Sequence, residues 1–186
     1  MKFDLVVIGT STGGMTALHT IFACFPADFP LPVVIVIHRG KESDERLAML
    51  LQKNCLLPVM EIEDKMPIDS GKIYLAPPEY HVLTEQDHFS LSIDEPVFYA
   101  RPSIDVLFES ASAVFKDRLV GVILTGAGQD GAHGLAEINR RGGFTIVQEP
   151  ESAECGILPK AAIDKVAVDK ILLLEEIGVF LCQLTD

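Results

Sequence analysis

The sequence predicts an α/β fold, doubly wound, with a mainly parallel sheet, helices on both faces and one small antiparallel hairpin. Three observations lead there. Short β-branched runs alternate with longer amphipathic stretches along the 186 residues. Most of those runs are apolar throughout, as in strands covered on both faces. Two further runs, His81-Val-Leu-Thr84 and Phe89-Ser-Leu-Ser-Ile93, flank a polar turn and read as the hairpin.

The elements follow in order. Asp4-Leu-Val-Val-Ile8 is a buried strand that stops at Gly9, and residues 13–25 form a helix with Leu18, Ile21 and Phe22 at helical spacing. Val33-Val-Ile-Val-Ile37 is the second strand, ended by His38-Arg39-Gly40. Ser43 is placed to cap the next helix, with Asp44 and Glu45 in its first turn, where acidic groups favour the helix dipole. That helix runs to about Asn54. Lys72-Ile-Tyr-Leu-Ala76 is strand-like and stops at Pro77-Pro78; the hairpin follows. Ser103 caps a helix carrying Ile104, Leu107, Phe108, Ala111 and Val114 on one face. Leu119-Val-Gly-Val-Ile-Leu-Thr125 is a strand, then comes a Gly-rich turn and a helix to about Arg141. Phe144-Thr-Ile-Val147 is a strand, Pro159 opens a short helix, and a last strand at 168–172 precedes a C-terminal helix. With no internal repeat or linker, residues 1–186 read as one domain.

Composition narrows the function. Apolar residues make up 48%, and no apolar run approaches the roughly 18 residues of a membrane span. The N-terminus enters a strand directly, without the apolar stretch and cleavage site of a signal peptide, so the expectation is an unprocessed cytoplasmic protein without membrane insertion. Cys24, Cys55, Cys155 and Cys182 form no C-x-x-C pair, against a zinc ribbon or a thioredoxin-like motif. A formal net charge of −12 argues against a nucleic-acid partner.

Sites in open parallel sheets form beyond the carboxyl ends of the strands. Here three of those ends carry polar groups. Ser11 lies in Gly9-Thr10-Ser11-Thr12-Gly13, between strand and helix, a formal G-x-S-x-G match. It suits a nucleophile, with helix N–H groups nearby for an oxyanion. An anion-binding loop and a simple helix cap are alternatives, although G-x-G-x-x-G and the P-loop Gly-Lys-Ser/Thr ending are both missing. His38, delivered by an apolar strand, suits a general base with an unperturbed pKa of about 6.5; a hydrogen-bonded interior histidine is the other reading. Asp130, between Gly126, Gly128 and Gly131, suits a carboxylate that accepts from the imidazole Nδ1–H, or an N-cap of the helix after it. A metal site of His38, Asp130 and His133 is a further alternative, unsupported by an H-E-x-x-H pattern or a Cys cluster. If the three act as a triad, Ser11 Oγ falls within hydrogen-bond reach of His38. His19, His81 and His88 have no assigned role beyond surface or packing.

These segments together resemble the catalytic domain of chemotaxis methylesterases, the CheB family. The resemblance is carried by Ile8-Gly-Thr-Ser11-Thr-Gly-Gly14, Val36-Ile-His38, Ala76-Pro77, Arg101-Pro-Ser-Ile-Asp-Val-Leu-Phe108, Gly121-Val-Ile-Leu-Thr-Gly126 with Gln129-Asp-Gly131, and Gly156-Ile-Leu-Pro-Lys-Ala-Ala-Ile163. It implies a triad of Ser11, His38 and Asp130, an order unlike the Ser…Asp…His of α/β-hydrolases. It also implies hydrolysis of γ-glutamyl methyl esters on chemoreceptor helices, deamidation of receptor glutamines, and no metal or organic cofactor. Oxyanion donors are expected near His38 and in the Gly126–Gly131 loop. Full-length relatives carry an N-terminal receiver domain; the strand starting at residue 4 leaves no room for one, so phosphorylation control is absent or comes from a separate regulatory chain. Where many relatives have Met-Pro after the histidine and a further Met in the Gly-rich loop, this chain has Arg39-Gly40 and Ala127, and its acidic charge contrasts with an acidic receptor helix. A serine esterase acting on a non-chemotaxis protein and a non-catalytic anion-binding module are the competing functions.

Overall fold

The computed structural model describes residues 2–38 and 47–185. The chain runs β1 (Leu5–Thr10), α1 (Gly14–Phe22), β2 (Val33–Ile37), α2 (Leu47–Gln52), β3 (Val59–Glu61), β4 (Ile73–Leu75), β5 (His81–Thr84), β6 (Phe89–Ser92), α3 (Ile104–Phe115), β7 (Leu119–Ile123), α4 (Ala132–Arg140), β8 (Phe144–Gln148), α5 (Ile157–Lys165), β9 (Lys170–Leu172) and α6 (Leu174–Gln183). The expected Ser43 cap, with Asp44 and Glu45, lies outside the described residues.

Seven strands form one sheet in the order β3-β4-β2-β1-β7-β8-β9, and β5 and β6 form a separate two-stranded sheet. All six pairings in the large sheet are parallel, whereas β5 and β6 pair antiparallel. Every residue of β1, β2 and β7 is buried, as uniformly apolar runs require when both faces are covered. Alternate side chains serve two cores. Val6, Ile8, Val33, Ile35 and Val122 pack with α1, α2 and α6 through Leu18, Phe22, Leu51 and Ile177. Leu5, Val7, Val34, Val36 and Ile123 pack with α3, α4 and α5 through Leu107, Phe108, Leu135 and Leu158. The domain is therefore doubly wound.

The chain leaves β1 for β2 on one side and later returns to β7 on the other. The carboxyl end of β1 is thus the point where strand order reverses, the usual position of a crevice in such sheets. One strand, β3, was not anticipated: its three residues are half-buried or exposed at the sheet edge, so they carry no continuous apolar run. The helix expected at 13–25 ends earlier, at Phe22.

Candidate active site

The register of the central strands brings the ends of β1, β2 and β7 together. His38 N–H donates to Thr10 O at 3.1 Å, and Ser11 N–H donates to Thr125 O at 3.0 Å. Thr10 Oγ1, fully buried, donates to the same Thr125 carbonyl at 2.8 Å. Ser11 is also pressed against Gly126, where an added Cβ would lie 3.0 Å from the Ser11 Cβ. Ser11 and His38 line one cavity of about 480 Å³, together with Met15, Leu47, Leu50 and Glu154. Its walls are mostly apolar with a few polar groups, the common make-up of a small-molecule or side-chain site.

Asp130 sits behind His38. Its Oδ2 lies 2.7 Å from His38 Nε2, with the histidine side chain 20% exposed and the aspartate 2%. The remaining acceptor capacity of the carboxylate is met by the first turn of α3. Ile104 N–H donates to Oδ2 at 2.8 Å, Asp105 N–H to Oδ1 at 3.0 Å, and Ser103 Oγ to Oδ1 at 2.7 Å. A buried carboxylate is tolerated when donors and a helix N-terminus match its charge. Such attachments also hold it in one orientation toward the imidazole.

Two details differ from expectation. Asp130 does not cap the helix that follows it: Gly131 is the N-cap of α4 and Asp130 serves α3 instead. Second, Asp130 meets Nε2 rather than Nδ1 of His38, so Nδ1 is the ring nitrogen turned away from that carboxylate. Among the described residues no hydrogen bond joins Ser11 Oγ to His38, unlike the direct contact the triad reading expects, although both line the same cavity.

Asp105 completes a reciprocal exchange. Its Oδ1 accepts from Gly131 N–H at 2.9 Å and Gly134 N–H at 2.6 Å, so it caps α4 while Asp130 caps α3. Burial pushes the Asp105 carboxyl up to about 6, opposed by the Gly134 N–H and reinforced by the charge of Asp130. The close approach depends on glycines. A Cβ on Gly9 would fall 2.3 Å from Ile104 Cγ2, and one on Gly131, at φ +110°, 2.6 Å from the same atom. Ile104 is thereby clamped between the end of β1 and the Asp130 loop.

His81, unassigned from the sequence, belongs to this network. It is 1% exposed; its Nδ1 accepts from Ser103 N–H at 3.2 Å and its Nε2–H donates to Glu95 O at 3.2 Å. A hydrogen-bonded path therefore runs from Glu95 through His81, Ser103 and Asp130 to His38. The signal available in the sequence was only a histidine at the start of an alternating strand. His133, by contrast, is on the surface of α4, 3.3 Å from Glu109. Among the described residues no group of three or more His, Cys, Asp or Glu side chains could hold a metal ion, so the His38–Asp130–His133 alternative has no geometry to support it.

The expected oxyanion donors are narrowed. His38 N–H is taken by Thr10 O, Gly126 N–H by Cys155 O at 2.9 Å, and Gly131 N–H by Asp105. The N–H groups of Ala127, Gly128 and Gln129 have no acceptor among the described residues. No helix among those residues is long and apolar enough to cross a membrane.

Residues 6–181 match the model of the CheB methylesterase family. A provisionally named protein-glutamate methylesterase/protein-glutamine glutaminase of Leptospira interrogans is 49% identical over 179 residues, covering 96% of this chain and 93% of the relative. The protein-glutamate methylesterase/protein-glutamine glutaminase of Halalkalibacterium halodurans is 40% identical over 184 residues, 96% of this chain and 53% of that protein. The crystal structure of the Thermotoga maritima CheB methylesterase catalytic domain matches with a TM-score of 0.94 at 32% identity, covering 99% of this chain and all of that one.

Proposed function

This chain belongs to the CheB methylesterase family, and we propose that it is a cytoplasmic serine hydrolase that removes methyl groups from glutamate γ-methyl esters on chemoreceptors and deamidates receptor glutamines. The observation that carries the reading is the 2.7 Å contact of His38 with a buried, fully attached Asp130, beside Ser11 on one cavity wall. Residues 1–186 act as one catalytic domain.

In the proposed mechanism His38 Nε2–H stays on Asp130, and Nδ1 takes the proton from Ser11 Oγ as the oxygen attacks the ester carbonyl. Asp130 stabilises the imidazolium. The tetrahedral oxyanion is held by backbone N–H groups of the 127–129 segment and of the turn before α1. His38 Nδ1 then protonates the departing methoxide, and methanol leaves an acyl-Ser11. Water, deprotonated by the same nitrogen, attacks the acyl carbon; Ser11 Oγ regains the proton and the glutamate carboxylate is released. Glutamine follows the same path with ammonia as leaving group. These steps require no metal or organic cofactor.

Methanol release from a methylated receptor cytoplasmic fragment tests this. Ser11→Ala and His38→Ala should each abolish most turnover, and the double variant should be little worse than either, because the residues act as a unit. Asp130→Asn should lose on the order of 10⁴-fold in kcat. A folded Ser11→Ala protein that still releases methanol at the wild-type rate would refute the proposal.

A further inference from the structure

The cavity beside Ser11 carries one acidic side chain that the proposed chemistry does not use. Among its described lining residues Glu154 is the only carboxylate, and Met15, Ile37, Leu47 and Leu50 make much of the remaining wall apolar. Glu154 lies between the short helical turn at 150–152 and α5. Its neighbour Cys155 is fixed to the end of β7. Cys155 N–H donates to Thr125 Oγ1 at 2.9 Å, and Cys155 O accepts from Gly126 N–H at 2.9 Å. The Thr125 carbonyl is the same one that receives Ser11 N–H. The segments carrying Glu154 and Ser11 are therefore held at one strand end.

The Glu154 side chain is laid against the turn that carries Ser11. A Cβ added to Gly13, at φ +81°, would fall 2.8 Å from both Glu154 Cβ and Glu154 Oε2. Glycine at 13 thus permits both the left-handed backbone and the approach of the carboxylate. The first turn of α1 has no acidic residue of its own, so Glu154 brings the negative charge to that end of the helix. Among the described residues no cation pairs with it. An anion entering this end of the cavity meets a charge of its own sign.

We propose that Glu154 sets the charge specificity of the site: the cavity accepts an uncharged glutamyl ester or amide and turns away the glutamate carboxylate. The proposal rests on the esterase reading and deepens it. Ester and product differ by one methyl group and one negative charge. A cavity of about 480 Å³ is roughly 10 Å across, about one Debye length at about 0.1 M salt, so a carboxylate inside it feels Glu154. Glu154 is exposed and water weakens the repulsion, which leaves a discrimination of about three- to tenfold. A tetrahedral oxyanion is affected less, because backbone N–H groups face it at hydrogen-bond range. The same repulsion speeds departure of the acidic product. It also separates the Ser11 turn from an anion-binding loop, since the helix end that would attract an anion already has a carboxylate beside it.

The test compares two forms of a fluorescein-labelled chemoreceptor cytoplasmic fragment, one with a glutamate methyl ester and one with free glutamate at the same position. Both Kd values are read by anisotropy in a Ser11→Ala background. The parent should prefer the ester form, and the preference should shrink at about 0.5 M sodium chloride, where the Debye length is about 4 Å. Adding Glu154→Gln should cut the preference by about three- to tenfold, by tightening the free-glutamate form. Glu154→Asp should keep part of it. A merely structural contact with Gly13 would change both Kd values by the same factor. The proposal is overturned if the parent binds both forms equally or binds neither, if its preference is the same at high salt, or if Glu154→Gln, shown folded by circular dichroism, keeps the parent's preference. Should Glu154→Gln not fold, the salt dependence of the parent decides. Failure of the wild-type protein to release methanol from the ester form would refute the esterase reading instead, and the Kd comparison, which needs no turnover, separates the two failures.

Discussion

Replacing Asp105 by Asn should remove a specific component from the pH dependence of folding. Asp105 is 4% exposed, and its carboxyl is raised from 3.8 to about 6 by burial and by the charge of Asp130. The folded state therefore binds a proton more tightly here than the unfolded chain does. That stabilising contribution is fully present below about pH 3.8 and is lost as pH rises through about 6. The gap of roughly two pH units, at about 1.36 kcal/mol each, is about 3 kcal/mol. Asparagine keeps an oxygen for the Gly131 and Gly134 N–H groups but cannot ionise. Urea unfolding of both proteins at intervals from pH 3.5 to 7.5 checks this. The stability of wild type relative to Asp105→Asn should fall by about 3 kcal/mol across the range, mostly between pH 4 and 6.5. A difference that stays constant, or that grows with pH, would show that the Gly131 and Gly134 bonds outweigh desolvation and that the buried carboxylate is not raised.

Ser103→Ala deletes both the donor to Asp130 and the cap accepting from Val106 N–H at 3.4 Å. It should cost about 1–3 kcal/mol in urea unfolding and lower kcat more than it raises KM in the methanol-release assay, because Asp130 loses an orienting bond. Gly9→Ala forces a Cβ to within 2.3 Å of Ile104 Cγ2 and should destabilise by about 1–3 kcal/mol in the same measurement; a neutral result would mean that α3 moves freely against β1. Prolonged EDTA treatment should leave ester hydrolysis unchanged, measured before and after addition of zinc. His133→Ala, which loses only a surface pairing with Glu109, should retain most of its activity in the methanol-release assay.

Much of this architecture was legible because it is locally encoded. The uniformly apolar runs that became β1, β2 and β7 require burial on both faces, and that alone separates a covered parallel sheet from a half-solvated antiparallel one. Alternation at 81–84 and 89–92 gave the hairpin its distinct character. Where burial is incomplete the signal fades, as at β3, whose residues are exposed or half-buried.

Ser11, His38 and Asp130 could be singled out from residue type and position alone, since each follows an apolar strand and two lie among glycines. What tied them together was strand order. The β2-β1-β7 adjacency places Thr10 against Thr125 across 115 residues and His38 against Asp130 across 92. Only the tertiary structure decided that Asp130 serves the N-terminus of α3, that it meets Nε2 of the imidazole, and that His81 supports Ser103 behind it. Hydrophobic periodicity reports which face of an element is buried, a property of neighbouring residues. A buried polar group takes whichever donor the packing of distant elements brings within about 3 Å, and no local pattern specifies that partner.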